Sequence, residues 1–512
     1  RADTLRDMGD AADLVWHGGE VLRKQLELLH DAPRSVTEPE GFGTSLRPYQ
    51  REGLAWLNFL ANAHLGGILA DDMGLGKTVQ VLAHLLSEKQ QGRLQQPALV
   101  VAPTSLVGNW RDEAARFTPQ LKVLVLHGAD RADRFERIAE HDIVITTYPL
   151  LSRDQEKLCQ AQFSLLVLDE AQAIKNARSQ AAQVVRELPV KRRLAMTGTP
   201  LENHLGELWA QFDAIEPGLL GSQRQFTKLY RTPIEKHADA DRQQRLNQRV
   251  GALLLRRRKQ DVLTDLPAKT EIVRMLELES SQRALYEALR LAQHTRVQDA
   301  VRERGLGQSG IIVLDALLKL RQVCCDPRLV KLDSARKIKQ SAKLDALLEL
   351  LEGLLGEGRR ILLFSQFTEM LGLIETALQQ RGIAWQSLTG QTPSSQRSAL
   401  VKRFQDGEVP LFLISLKAGG LGLNLTAADT VIHYDPWWNP AVEAQATDRA
   451  HRIGQDKPVF VYRLICAGTV EEKIQALQSR KADLAQAVLE GGGASQRLRF
   501  DEADLTELFA PL

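Results

Sequence analysis

The sequence predicts an α/β protein with two lobes, each built around a parallel β-sheet covered by helices. Short apolar runs alternate with amphipathic stretches over residues 67–196 and again over 361–464. Continuous apolar strands of this kind are typical of parallel sheets with both faces covered. The residues between these two regions are rich in Arg, Gln, Leu and Glu, which predicts helices there.

The composition narrows the class of protein. The chain has 512 residues, of which 44% are hydrophobic and 25% charged, as in ordinary globular proteins. No apolar run approaches the ~18 residues of a membrane helix, and we expect no secretory signal near Arg1. A net charge of +2 argues against a polycation, although a local basic strip would suffice for nucleic acid. The four cysteines form no CxxC pair, so we expect reduced thiols.

The changes of pattern predict five segments. Apolar residues at helical spacing indicate a helical lead-in over residues 1–40, ended by prolines. The others are a first lobe at 41–203, helical insertions and an interlobe linker at 204–345, a second lobe at 346–470, and a C-terminal helix and flexible tail at 471–512. The predicted strands are 67–70, 99–102, 123–126, 143–147, 165–168 and 193–196 in the first lobe, and 361–365, 411–415, 430–434 and 459–464 in the second.

A glycine-rich loop follows the first predicted strand. Its sequence is Asp71-Asp72-Met73-Gly74-Leu75-Gly76-Lys77-Thr78, and a helical pattern comes next. The backbone N–H groups of such a loop bind phosphate oxygens, and the helix N-terminus adds a favourable dipole. We expect Lys77 to reach the β- and γ-phosphates and Thr78 to ligate Mg²⁺. Asp71 stands where the usual pattern has glycine, and an ordinary glycine-rich turn is the alternative.

An acidic pair, Asp169-Glu170, ends the apolar run at 165–168. In a Walker B arrangement, Asp169 holds Mg²⁺ and Glu170 polarises the attacking water. Taken alone, an acidic pair at a strand end is more often a solvated turn. The phosphate loop upstream in the same lobe favours the catalytic interpretation.

Two arginines of the second lobe, Arg449 and Arg452, lie three residues apart and would share a helix face. This spacing suits arginine fingers that reach the γ-phosphate, which contribute roughly 10³–10⁵ in rate. A surface pair on a solvated helix is the alternative for the arginines alone. We interpret the neighbouring His451 as structural.

Together these motifs resemble helicase superfamily two and, within it, the Swi/Snf-type chromatin-remodelling and DNA-translocating ATPases. The resemblance covers about residues 46–481 and implies two RecA-like lobes with family-specific helical insertions. Residues 46–50 look like the family's adenine-sensing element, with Gln50 as the base contact. Further segments match the family's motifs in order: 71–78, 103–110, 146–148, 169–176, 197–203, 364–367, 417–425, 435–440 and 451–455.

Two features bear on the branch of the family. Residues 255–262 and 266–269 resemble the end of the Swi/Snf helical insertion, which most plain helicases lack. Gln172 stands where eukaryotic members commonly have His, which suggests a bacterial or archaeal branch. The resemblance then implies a cytoplasmic, nucleoid-associated protein, or a nuclear one if the source is eukaryotic.

The resemblance also implies the ligands: ATP and Mg²⁺ as cofactors, and double-stranded DNA bound through its backbone by a monomeric core. Such contacts are sequence-tolerant and salt-dependent. In the second lobe, Gly420 and Gly422 are expected near the nucleotide. The expected DNA contacts are Thr104, Thr146, Lys417, Asn424 and Trp438. The basic run at 256–259 has three interpretations, namely DNA contact, lobe packing and a solvated face.

The implied function is an ATP-dependent DNA translocase that displaces or remodels bound proteins without obligatory strand separation. One alternative is an ATPase acting on a protein–nucleic-acid complex such as RNA polymerase, and a second is a strand-separating helicase. A non-hydrolysing scaffold is disfavoured because Lys77, Asp169 and Glu170 are intact. A nuclease or metalloenzyme is disfavoured because the sequence has no ligand cluster of suitable spacing.

Overall fold

Thirteen parallel strands organise the described part of the computed structural model, which comprises residues 36–198, 204–237, 239–262, 267–305, 309–336, 338–419, 423–437, 440–477 and 502–512. The first sheet contains β1 (Gly67–Leu69), β2 (Ala98–Ala102), β3 (Val123–Val125), β4 (Ile143–Thr147), β5 (Phe163–Asp169), β6 (Val190–Met196) and β7 (Leu254–Leu255). The second contains β8 (Lys269–Leu276), β9 (Ile361–Ser365), β10 (Trp385–Leu388), β11 (Leu411–Ser415), β12 (Thr430–His433) and β13 (Val459–Cys466). Their orders are β3-β4-β2-β5-β6-β1-β7 and β10-β11-β9-β12-β13-β8.

Helices cover both sheets, as crossover connections between parallel strands require. In the first half of the chain they are α1 (Pro48–Asn62), α2 (Lys77–Gln90), α3 (Val107–Phe117), α4 (Tyr148–Leu151), α5 (Gln155–Gln160), α6 (Gln180–Glu187), α7 (Leu205–Ile215), α8 (Gln223–Phe226), α9 (Thr232–His237), α10 (Ala240–Val250) and α11 (Lys259–Val262). In the second half they are α12 (Ser280–Arg304), α13 (Gly310–Cys325), α14 (Asp333–Arg336), α15 (Ala342–Gly356), α16 (Thr368–Gln380), α17 (Ser394–Gln405), α18 (Leu416–Gly419), α19 (Pro440–Thr447), α20 (residues 470–477) and α21 (Glu502–Leu508). Among the described residues, no helix is both long and apolar enough to span a membrane.

The apolar runs are continuous because each strand buries both of its faces. In β2, Leu99 and Val101 belong to the core on one side of the sheet, while Val100 belongs to the core on the other side. Side chains alternate between the faces of a strand, so every position of a doubly covered strand is apolar. The sequence-based prediction of two parallel lobes is therefore confirmed, and each predicted strand is present within three residues of its expected bounds.

Both sheets extend into the region that was predicted to be helical insertion and linker. Strand β7 pairs with β1 in the first sheet, and β8 pairs with β13 in the second. The boundary predicted at residue 345 is thus wrong, because β8 already belongs to the second lobe. Strand β8 escaped prediction since it is an edge strand whose residues alternate between exposed and half-buried. The lead-in predicted over residues 1–40 lies largely outside the described residues, as does most of the predicted tail.

Candidate active site

The phosphate loop lies at the carboxyl end of β1, where it turns into α2. Gly74 and Gly76 have φ angles of +85° and +75°, in the left-handed region that favours glycine. Gly76 is the N-cap of α2, so the loop presents the first N–H groups of this helix. The Lys77 Nζ donates to the Asp71 carbonyl oxygen at 2.7 Å. Its ammonium is therefore folded over the loop, beside the position that a phosphate would take.

The side chain of Asp71 holds the loop and does not face the cleft. Its carboxylate is fully buried and accepts from Arg257 Nε at 2.9 Å and Nη2 at 2.5 Å. Gln80 Nε2 donates to the same carboxylate at 3.1 Å. The Asp71 carboxylate is thus paired with Arg257 within the lobe, and a nucleotide contact by the Asp71 backbone stays a prediction.

Gln50 also lies against the phosphate loop. Its Nε2 donates to the Leu75 carbonyl oxygen at 3.1 Å, and its Oε1 accepts from the Arg47 N–H at 2.9 Å. The Tyr49 hydroxyl donates to the same Leu75 oxygen at 3.0 Å. Both ends of the Gln50 amide are therefore engaged within the lobe. An adenine contact by Gln50 stays a prediction.

The remaining loop residues border the space between the lobes. The side chains of Asp72, Met73 and Thr78 are half-buried. Leu75 is fully buried in a small cluster with Tyr49, against which Ile453 of the second lobe packs. The loop thus packs against the second lobe through an apolar side chain.

The acidic pair lies two strands away from the phosphate loop on the same edge of the sheet. Asp169 is the register partner of Met196 in β6, and Met196 is the partner of Leu69 in β1. Neighbouring strands are about 4.8 Å apart, so the Asp169 and Leu69 backbones are separated by roughly 10 Å. This brings Asp169 to the edge of the sheet from which the phosphate loop projects.

Asp169 is a buried carboxylate with a raised pKa. Burial and the neighbouring Glu170 raise its pKa to about 7, while a hydrogen bond from Trp110 opposes the shift. Trp110 Nε1 donates to Asp169 Oδ2 at 2.8 Å, and the Glu170 N–H donates to Oδ1 at 2.9 Å. A divalent cation would favour the ionised form of this carboxylate.

Glu170 occupies a strained position at the end of β5. Its φ and ψ of 50° and 57° are left-handed, which is unusual for a non-glycine residue and is often found at functional sites. Gln172 Nε2 donates to Glu170 Oε2 at 2.8 Å, and Thr197 Oγ1 donates to Gln172 Oε1 at 2.9 Å. The Gln172 amide thus connects the carboxylate after β5 to the hydroxyl after β6, and so orients Glu170.

The two arginines face the first lobe. Arg449 is 3% exposed, and its Nε and Nη2 have no hydrogen-bond partner among the described residues. Burial lowers the pKa of Arg449 to about 10, opposed by the charge of Glu170. Arg452 lies against the phosphate loop, because a Cβ placed on Gly74 would be 2.8 Å from the Arg452 Cβ. Its buried Nε also lacks a hydrogen-bond partner among those residues.

Buried guanidinium nitrogens without partners are costly and uncommon in folded proteins. Here Arg452 adjoins the phosphate loop that carries Lys77, and Arg449 interacts with the charge of Glu170. This arrangement can bind a polyanion that spans both lobes. The oxygens of Asp169, Glu170 and Thr78 are the hard ligands that Mg²⁺ prefers.

Comparison with known proteins is consistent with this geometry. Residues 49–329 match the family model described as the SNF2-related domain. The chain belongs to the SNF2-related family. Residues 342–454 of this SNF2-related chain match the helicase conserved C-terminal domain.

Several relatives are similar over most of the chain. It is 40% identical to the putative ATP-dependent helicase/translocase YwqA of Bacillus subtilis, covering 99% of this chain and 55% of the relative. It is 34% identical to the TATA-binding protein-associated factor MOT1 of Saccharomyces cerevisiae, covering 92% of this chain and 29% of that protein. The solved Sulfolobus solfataricus SWI2/SNF2 ATPase core in complex with dsDNA is 34% identical, with 92% and 98% coverage and a TM-score of 0.46. The chain spans about half the length of the curated bacterial relatives it matches.

The residues of this SNF2-related chain that are expected to contact DNA differ in their exposure. Thr104 and Asn424 are exposed. Thr146 is 1% exposed, and its DNA contact stays a prediction. The Lys417 side chain and all of Gly420, Gly422 and Trp438 lie outside the described residues.

Two side chains of the site were not recognised from the sequence. Trp110 was grouped with a DNA-contact motif, yet it is fully buried and bonds Asp169. Lys259 was part of the basic run, yet it is 9% exposed and binds Asp448 of the second lobe. With Arg257 bound to Asp71, these contacts favour the lobe-packing interpretation of the run. The sequence does not indicate these ion pairs, because Arg257 and Lys259 lie almost 190 residues away from their partners Asp71 and Asp448.

Proposed function

We propose that this SNF2-related chain hydrolyses ATP between its two lobes and uses the cycle to move along double-stranded DNA. The observation that carries the proposal is the pair of buried guanidinium groups, Arg449 and Arg452, which face the phosphate loop and Glu170 without partners among the described residues. A γ-phosphate bound by Lys77 would supply the anion that both arginines lack.

Thr78 and Asp169 would hold Mg²⁺, which supplies charge neutralisation at the β- and γ-phosphates. Glu170, oriented by Gln172, would accept the proton of the attacking water. Arg449 and Arg452 would stabilise the charge that develops on the transferred phosphoryl group.

The same contacts couple the nucleotide to the arrangement of the lobes. ATP offers a γ-phosphate to both lobes, whereas ADP does not, so only ATP stabilises the closed arrangement through differential contacts. If each lobe holds the DNA backbone in turn, repeated cycles produce steps along the duplex. Exposed Thr104 in the first lobe and Asn424 in the second are the described residues proposed to contact that backbone.

ATP turnover measured side by side with duplex DNA, single-stranded DNA and RNA tests this proposal, together with a triplex-displacement assay. We expect the largest stimulation with duplex DNA, a decrease at higher salt, and displacement of the third strand without separation of the duplex. Equal stimulation by single strands, or unwinding of a forked duplex, would favour a strand-separating helicase.

Displacement of a DNA-bound protein is a second proposed activity. Two relatives support it by name: MOT1 is a TATA-binding protein-associated factor, and ISW1 of Saccharomyces cerevisiae is a chromatin-remodeling complex ATPase with 35% identity. ATP-dependent release of a labelled repressor from duplex DNA would test this activity.

Copurification with RNA polymerase would instead favour an ATPase acting on that complex. We further propose a cytoplasmic location, in line with the similarity to a bacterial relative, together with nucleoid association and a monomeric core.

A further inference from the structure

The side chain of Lys259 reaches from the first lobe to the second. Its Nζ donates to Asp448 Oδ1 and to the His451 carbonyl oxygen, both at 2.6 Å. Asp448 and His451 directly precede Arg449 and Arg452 in the chain. The ammonium of Lys259 therefore binds the turn that carries both arginines.

The main chain at Lys259 is bound to the phosphate loop. Its N–H donates to Asp72 Oδ2 at 3.1 Å, and the Asp72 N–H donates to the Arg257 carbonyl oxygen at 3.0 Å. The Arg257 side chain in turn binds the Asp71 carboxylate. Lys259 is thus fixed by the first lobe at its backbone and by the second lobe at its ammonium.

The contact is buried and charged. Burial lowers the pKa of Lys259, opposed chiefly by Asp448, and burial raises the pKa of Asp448, opposed by Lys259. Removing one partner of a buried ion pair leaves an uncompensated charge, so such a pair holds its two segments firmly together. A Cβ on Gly74 would lie 3.4 Å from Lys259 Cε and 2.8 Å from Arg452 Cβ, so the loop, the lysine and the arginine are in mutual contact.

We propose that Lys259 is a positioning residue for ATP hydrolysis, which acts by holding Arg452 at a fixed distance from the phosphate loop. It contacts the turn that bears the arginine and has no role in binding the nucleotide. The inference rests on the proposed function, because it assigns to Arg452 a part in the hydrolytic step.

Lys259→Met tests this role. We expect kcat to fall by about 10–100-fold, because a displacement near 1 Å can cost about 10²-fold in rate. The Kd for a fluorescent ATP analogue should change by less than about 3-fold, since an interaction used mainly in the transition state affects kcat rather than binding. In an Arg452→Ala background the same substitution should cost less than about 3-fold, because residues that act through one another are not additive.

Two further variants separate positioning from folding. Asp448→Asn should reproduce the loss in kcat, since it removes the other charge of the pair. Lys89→Met removes a lysine that pairs with Asp142 at 2.7 Å, at the opposite edge of the first sheet, and should leave kcat unchanged. Thermal unfolding of each protein reports whether the fold is retained.

Unchanged kcat in Lys259→Met, or an equal loss with and without Arg452, would overturn the positioning role. So would a loss of folded protein in both Lys259→Met and Asp448→Asn, because it would show that the pair serves stability. A wild-type chain without ATP turnover would overturn the proposed function itself, a result distinct from full activity in Lys259→Met.

Discussion

Gly74 of the phosphate loop lies directly against Arg452 of the second lobe. A Cβ on Gly74 would be 2.8 Å from the Arg452 Cβ, which is closer than real Cβ atoms approach. The glycine also has a φ of +85°. The absence of a side chain at residue 74 thus allows the turn that carries Arg452 to approach the phosphate loop.

Gly74→Ala should therefore impair catalysis beyond its effect on the backbone. We expect ATP turnover to fall by about 10²-fold, because the clash displaces the arginine turn. Gly92→Ala is the matched control, since Gly92 also has a positive φ but a Cβ added there would meet nothing within 4 Å. The control should lose some stability and keep its turnover. Equal turnover in the two variants would contradict the contact.

Lys77→Ala should abolish hydrolysis by weakening nucleotide binding. Its ammonium bonds two carbonyl oxygens of the phosphate loop, those of Asp71 and Asp72. Equilibrium binding of a fluorescent ATP analogue and steady-state turnover check this effect, and thermal unfolding should show an intact fold. Retained turnover would overturn the assignment of the loop.

Glu170→Gln should separate binding from chemistry. We expect turnover to fall by about 10²–10⁴-fold, the usual contribution of a general base, while the ATP analogue still binds. Exposed Glu136 on the surface of the first lobe provides the control substitution Glu136→Gln. If Glu170→Gln keeps wild-type turnover, another group must activate the water.

His84 predicts a pH dependence of stability. Burial lowers its pKa to about 4 from an ordinary 6.5, so the folded state keeps it neutral while the unfolded chain takes up a proton below pH 6.5. Stability is therefore lost as the pH falls from 6.5 towards 4, by about 2 kcal/mol between pH 7 and pH 5. Urea unfolding of the wild type and His84→Gln at these two pH values measures the difference. Identical pH dependence in both proteins would contradict this account.

The strand pattern was predictable because doubly covered parallel strands must be apolar at every position, as the residues of β2 show. Edge strand β8 (Lys269–Leu276) was not predictable in this way, because its residues are exposed or half-buried and form no continuous apolar run. The phosphate loop and acidic pair follow directly from residue type and from their place after a strand. The roles of Asp71, Trp110 and Lys259 did not follow, because each depends on a partner far away in the sequence.

Turnover and nucleotide binding in Arg449→Ala and Arg452→Ala test the central claim most directly. The account predicts that both variants bind the ATP analogue with nearly wild-type affinity and hydrolyse ATP roughly 10³–10⁵-fold more slowly, the known range for an arginine finger. Turnover within a few fold of the wild type in both variants would show that the second lobe does not complete the site, and would contradict the account.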